Sequence, residues 1–235
     1  MMVLVAKFLK IVIMDNFPCG IEQLMPDSFL HPESDWNSGQ NASGQNSSPH
    51  GSSNKSYLKR YRMELDFNPK DRVFVPELPK FYAWQEWTWK VQESHANVIF
   101  DSFNKEMDCK IFSSFHTPGG CSMLMREICL RAEFVPEATW LILSPDGPCG
   151  SIQAIMQKGK TLAIQNVGVT PQHRKKGLGK ALLLKLMSSL ESYNLNKITL
   201  EVSAQNLAAI QLYRNLGFRK TKLIYKEVLS FFIPS

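Results

Sequence analysis

The sequence predicts an α/β domain on a mixed, mostly antiparallel sheet with flanking helices. Three stretches carry that expectation. From 139 to 169, short apolar and alternating runs are separated by tight turn signals, the pattern of a meander. From 162 to 203, strand, helix and strand succeed one another, which makes a right-handed βαβ crossover with a parallel pair. Inside that unit, Val167-Gly-Val-Thr-Pro-Gln-His-Arg-Lys-Lys-Gly-Leu-Gly-Lys-Ala-Leu182 carries a strand end into a basic, glycine-bearing turn that opens a helix.

Taken in order, Glu33 to Ser56 is rich in Ser, Asn, Gly and Gln and has very few large apolar residues, so it cannot bury enough surface to offset ordering entropy. Residues 1–56 therefore read as an N-terminal appendage with a flexible linker, and 57–235 as the folded domain. A translation start at Met63 or nearby is one reading of that boundary. Tyr61, Met63, Leu65 and Phe67 alternate, as in a strand or extended arm. Pro69, Pro76 and Pro79 then interrupt regular structure. Phe81 to Glu86 is expected as the first core strand. Thr88 to Asn104 places Val91, His95, Val98, Ile99 and Ser102 at helical spacing. Gly119-Gly120 is expected to break the chain before a second helix, Cys121 to Ala132, with Leu124, Ile128 and Arg131 along it.

The meander follows: Thr139 to Leu143, the turn Ser144-Pro-Asp-Gly147, Ser151 to Gln157, the turn Lys158-Gly-Lys160, then Leu162 to Val169. From Gly177, Leu178, Leu182, Leu186 and Leu190 recur every fourth position, and Tyr193 to Asn196 ends that helix. Ile198, Leu200 and Val202 alternate with polar residues in a strand. Asn206 to Leu216 is a helix with Ala209, Ile210, Tyr213 and Leu216 on one face, and Gly217 is a natural residue just past its end. Phe218 to Val228 supplies a terminal strand.

The net charge of +6 suits a polyanionic ligand, and equally a solubilising surface. Nucleic acid as a partner would rest on that charge alone, and none is expected. Cys19, Cys109, Cys121, Cys129 and Cys149 show no C-x-x-C or Cys/His ligand spacing, and the histidines show none either, so no metal is expected. The cysteines read as reduced, mostly buried thiols of a cytoplasmic protein. Met1 to Met14 is too short to span a bilayer and lacks the layout of an export signal, so no membrane partner is expected.

The turn at 170–180 has the chemistry of an anion site. Backbone N–H groups at a helix start are unpaired, the helix dipole favours negative charge there, and Gly177 and Gly179 let a ligand approach the backbone. Arg174, Lys175, Lys176 and Lys180 add positive charge. Two other phosphate motifs fail on spacing. A Walker loop needs Ser or Thr after its Lys, and Lys180 is followed by Ala181. A dinucleotide fingerprint needs its glycines directly after the strand, and its third glycine position is Leu182 here.

Arg174-x-x-Gly177-x-Gly179, preceded by Val169-x-Pro171, resembles the acetyl-CoA motif of the GNAT superfamily of N-acetyltransferases. A second block, Leu200-Glu-Val-Ser-Ala-Gln-Asn206 then Tyr213-Arg-Asn-Leu-Gly217-Phe218, is similar to that family's strand, Asn-led helix and Tyr-x-x-x-Gly-Phe ending. The strong resemblance covers about 160–227, and a weaker one reaches back to about 80. It implies the GNAT-type fold, in which the parallel strands splay apart around the acyl-pantetheine arm. It implies acetyl-CoA as co-substrate, with the N–H groups of Lys175, Lys176, Gly177, Leu178, Gly179 and Lys180, together with Arg174, around the pyrophosphate. It also implies acyl and oxyanion contacts from the backbone of Val167 and Val169 on the strand 166–169.

Asn206 is where an N-cap belongs, and the resemblance adds contact with the cofactor; both roles can coexist. Tyr213 lies on an apolar face as a core aromatic would, and the resemblance makes it the general acid. A phenol near ~10 can protonate a leaving thiolate whose thiol titrates near ~8.5. Many relatives carry a carboxylate where this sequence has Gln165, whose neutral amide accepts no proton. Water, Glu106 or Asp108 are the alternatives for the base, and Glu201 reads as a solvated or paired carboxylate. Phe81, Tyr82, Trp84, Trp87 and Trp89 read as core or as the wall of an acceptor pocket. The expected function is N-acetyl transfer from acetyl-CoA to an amine, a small molecule or a protein, in a ternary complex. The alternative is a non-catalytic acyl-CoA-binding module. A homodimer stays open.

Overall fold

The computed structural model describes residues 55–229, which lie within one compact unit, Asn54–Ser235. The appendage expected before Tyr57 falls, through residue 54, outside the described residues. Seven strands form one sheet: β1 (Tyr57–Asp66), β2 (Ala83–Glu86), β3 (Trp140–Ser144), β4 (Gly147–Gln157), β5 (Thr161–Val169), β6 (Lys197–Ser203) and β7 (Arg219–Glu227), in the order β2-β3-β4-β5-β6-β1-β7. All neighbours are antiparallel except β5 and β6. Among the described residues, four α-helices flank the sheet: α1 (Gln92–Phe103), α2 (Pro118–Cys129), α3 (Leu178–Ser188) and α4 (Leu207–Asn215).

The helices divide between the two faces, and β4 shows how. A Cβ on Gly150 would meet Leu182 Cδ1 of α3 at 3.3 Å. The next residue, Ser151, bonds His95 of α1. Successive strand residues point to opposite faces, so α1 and α3 cover opposite sides. The α3 side is the larger core, with Leu178, Leu182, Leu183 and Leu186 packed on Ile152, Ala154, Leu162 and Ile198, and Ile210, Tyr213 and Phe218 joining from α4 and its end. The α1–α2 side has its own cluster, including Ala96, Ile99, Phe115, Cys121 and Met125.

The expected elements are present, with differences at the two ends of α2 and at the first strand after the prolines. Gly119 and Gly120 do not break the chain but form the first turn of α2, because Thr117 caps it and Pro118 opens it. Gly120 is there for room, since a Cβ would lie 2.6 Å from Ser114 O. That helix ends at Cys129, so Arg131 lies beyond it. The first strand after the prolines is not a core strand: β2 is a four-residue edge strand paired only with β3. The alternating stretch around Met63 is a strand, one of the two forms expected of it. It is β1, lying between β6 and β7 and antiparallel to both, with Met63 fully buried. A chain beginning at Met63 would lack the first six residues of that strand, Tyr57–Arg62.

Candidate active site

The site is built where β5 leaves β6. Their pairing covers only Thr161 with Lys197, Leu162 with Ile198 and Ala163 with Thr199. Beyond Ala163 the strands part, and the β6-side edge of β5 faces a gap. The cause lies on the other side of β5. Opposite β4, Gln153 pairs with Asn166 and Ala154 with Ile164, which leaves Gln165 as the extra residue of a bulge. A bulge bends its strand and breaks pairing locally. Gln165 Nε2 donates to Ala163 O at 3.3 Å, so its side chain closes on its own strand. After the bulge, Val167 and Val169 pack on the α3 side and Gly168 lies under α1, where a Cβ would meet Ser102 at 2.8 Å.

The loop from β5 to α3 begins where Thr170 N–H donates to Cys149 O at 2.9 Å. Lys175 (φ 62°) and Gly177 (φ 79°) then adopt left-handed backbone. That alternation turns successive N–H groups to one side, the concave arrangement that binds anions. Among the described residues, the N–H groups of 175–180 donate to no backbone carbonyl. No acidic residue occupies the first turn of α3. A Cβ at Gly177 would meet nothing within 4 Å, and one at Gly179 only Leu212 Cδ2 at 3.4 Å, so space lies over the loop. Leu178 is 2 % exposed and anchors the helix in the core, leaving its N–H as its contribution.

The charged side chains divide by task. Arg174 braces the loop: its Nε donates to Val169 O at 3.0 Å, its second guanidinium nitrogen to Ser102 O at 3.0 Å, and its first pairs with Glu106 at 2.7 Å. Lys176 Nζ donates to Tyr82 Oη at 2.9 Å. Lys175 and Lys180 form no ion pair among the described residues. Asn206 Oδ1 accepts from Ala209 N–H at 3.1 Å, which makes it the cap of α4.

Tyr213 is 6 % exposed and sits 5.9 Å, ring to ring, from Phe218. Burial holds its phenol well above the ordinary value, and nearby Asp108 raises it further against the opposing pull of Arg60. Asp108 is held in a buried pair with Arg60 and accepts from Ser203 Oγ at 2.9 Å. Arg60 also donates to Ser203 Oγ at 3.0 Å and to Glu201 O at 3.2 Å, and lies over the Phe112 ring. Glu201 pairs with Arg62 at 3.1 Å, the paired carboxylate expected. Thus Glu106, Asp108 and Glu201 all face cations, and the bulge position carries an amide.

His95 is fully buried between α1 and β4. Its Nδ1 lies 2.8 Å from Ser151 Oγ and 3.0 Å from Gln153 Nε2. Desolvation pushes it down to about 3, so it is neutral near pH 7. The aromatic run does not act as one unit. Trp87 packs on His95 and Phe134, Trp84 on Trp140, and Phe81 and Trp89 are exposed. Tyr82 reaches the loop, a role its sequence setting did not signal. It also borders an open cleft of about 550 Å³ beside α3, lined by Pro76, Leu78, Trp84 and Lys185 and separate from the β5–β6 gap. The described cysteines are buried free thiols, with Cys121 pushed up to about 12 and Cys149 to about 11 by burial. Cys19 lies outside the described residues. Among the described residues, no helix is long and apolar enough to cross a membrane, and no group of three or more His, Cys, Asp or Glu residues is placed for a metal ion.

A sheet with one splayed parallel pair, an anion-ready loop on its crossover and a buried tyrosine on the next helix define a class. Residues 104–218 match the sequence model of the acetyltransferase (GNAT) family. That segment is a little under half of the chain, and over it the chain is similar to the GNAT family. It is 43 % identical over 58 residues to a ribosomal-protein alanine N-acetyltransferase of Escherichia coli, a match spanning 25 % of this chain and 39 % of that protein. It is 36 % identical over 74 residues to an N-alpha-acetyltransferase of Sulfurisphaera tokodaii, spanning 31 % of this chain and 42 % of the relative. The chain therefore spans well under half the length of these curated relatives. Its fold matches a GNAT-family structure from Sphaerobacter thermophilus with a TM-score of 0.57 at 20 % identity, over 75 % of this chain and 55 % of that one.

Proposed function

We propose that this protein transfers an acetyl group from acetyl-CoA to an amine. One observation supports the reading above the others: a run of unpaired N–H groups at the head of α3, beside the gap between β5 and β6. A pyrophosphate fits that loop, since the backbone donors, the helix dipole and the open space over Gly177 all favour an anion. The thiol arm then runs into the gap, where the backbone of Val167 and Val169 meets the thioester carbonyl. Asn206 keeps its cap and lines the same end of α4.

In this mechanism the amine nitrogen attacks the thioester carbon, the new N–C bond forms and the C–S bond breaks. Strand donors stabilise the oxyanion, binding in one cleft supplies orientation, and Tyr213 returns a proton to the departing thiolate. With the carboxylates Glu106, Asp108 and Glu201 held by arginines, water at the mouth of the gap receives the amine proton. The relatives' printed names point to protein N-terminal amines as one acceptor class. The buried free thiols support a cytoplasmic setting.

A second reading is favoured by the amide at Gln165: a module that binds acyl-CoA without turning it over. Release of free coenzyme A separates the two. Release that depends on added amine, screened over peptides with free N-termini and small amines, is the expected result. Binding of acetyl-CoA without release from any of them would favour the module.

A further inference from the structure

Tyr82 joins the cofactor loop to a part of the chain that precedes the matched family segment. Its hydroxyl lies 2.8 Å from His173 Nδ1 and accepts from Lys176 Nζ at 2.9 Å. The Lys176 ammonium is 5.5 Å from the Tyr82 ring centroid, and the His173 ring meets the tyrosine edge-on at 5.7 Å. The Tyr82 ring packs against the main core and is thereby fixed. The turn delivering it is strained. Tyr82 N–H donates to Pro79 O at 3.0 Å, and Phe81 between them sits at φ 72°. Glycine takes that conformation freely and phenylalanine does not. Phe81 is 73 % exposed, so its own burial does not hold it there. What the turn accomplishes is the aim of Tyr82. An observed strained residue of this kind points to function.

We propose that Tyr82 is a positioning residue for acetyl-CoA, holding Lys176 and His173 so that the lysine ammonium meets the pyrophosphate in a set pose. This rests on the acetyltransferase reading of the loop. A phenol suits the task because it fixes a cation without neutralising it, whereas a carboxylate would compete with the ligand for the charge. In the tautomer whose Nδ1 is an acceptor, the phenol O–H donates to Nδ1 while its oxygen accepts from Lys176, so the two bonds polarise each other. Two further ammonium N–H donors stay available to phosphate oxygens. Lysine loses much rotamer freedom when it binds a ligand, and holding it beforehand removes part of that cost.

The test is a double-variant cycle on the full-length protein, reading acetyl-CoA affinity by calorimetry. Tyr82→Phe keeps the ring and its core contacts. It is expected to weaken acetyl-CoA binding roughly 10-fold, about one charge-assisted hydrogen bond. In a Lys176→Met background, Tyr82→Phe is expected to cost nothing further, because its effect passes through the lysine. In steady-state assays the KM for acetyl-CoA should rise more than kcat falls. His173→Ala, which frees the hydroxyl from its other side, should weaken binding in the same direction. Additive losses in the double variant, or wild-type affinity in both Tyr82→Phe and His173→Ala, would overturn the proposal. Absence of binding by the wild type would sink the acetyltransferase reading together with it.

Discussion

At the scale of single residues, Tyr213 and His95 show the two uses of a buried titratable group. Burial and Asp108 keep the Tyr213 phenol protonated beyond its ordinary range, so it holds its proton at every pH of ordinary assays, as the proposed acid must. Replacing it with Phe should lower kcat by roughly 10²-fold or more while acetyl-CoA affinity stays within about twofold. Unchanged turnover in a steady-state assay would remove Tyr213 from the mechanism. His95 is depressed from 6.5 to about 3 by burial. Above pH 6.5 both folded and unfolded chains hold it neutral and stability is unaffected. As pH falls from 6.5 towards 3, only the unfolded chain takes the proton, so stability declines. At pH 5 the loss should be about 2 kcal/mol. Denaturant midpoints against pH, in wild type and His95→Gln, measure this, and an equal acid slope in both would contradict it. The burial of Tyr213 was legible from the apolar helix face it shares with Ala209 and Ile210. Arg60 and Asp108 were not, because a pair separated by 48 positions leaves no local trace.

At the scale of elements, β5 and its loop carry the site. The bulge at Gln165 turns the strand, the short pairing with β6 opens the gap, and the alternating left-handed residues present the loop N–H groups. Gly168 lets α1 lie close on this strand, since a Cβ there would meet Ser102 Cβ at 2.8 Å and Phe103 Cε2 at 3.1 Å. Gly168→Ala should therefore destabilise the fold by about 1–3 kcal/mol through overpacking, read as a lower denaturant midpoint. A wild-type midpoint would mean that α1 yields at no cost. The loop was legible because glycines and cations at fixed offsets after a strand report their own geometry. The bulge was not, because an extra residue in a strand shows itself only through its partner's register. The start of α2 was misread for a related reason: Gly119-Gly120 marks a breaker in isolation, and Thr117 and Pro118 reverse its meaning.

At the scale of the molecule, the sheet order is the feature that alternation could not supply. Tyr61, Met63 and Leu65 announce a strand but name no neighbours. β1 lies between β6 and β7, so the first described strand joins the last one to the rest of the sheet. A chain starting at Met63 should show no cooperative unfolding, because it loses the pairing of Tyr57–Arg62 with β7 and of Arg60–Arg62 with β6, along with the Arg60–Asp108 link. A two-state thermal transition in that shortened chain would contradict the importance given to β1. The central claim is that the loop after β5 receives acetyl-CoA, and calorimetric titration of the full-length protein tests it most directly. Saturable binding of acetyl-CoA at one site per chain is expected, with none for NAD and none for Gly177→Glu, whose carboxylate would stand in the open space over the loop. No acetyl-CoA binding by the folded wild type, or undiminished binding by Gly177→Glu, would contradict it.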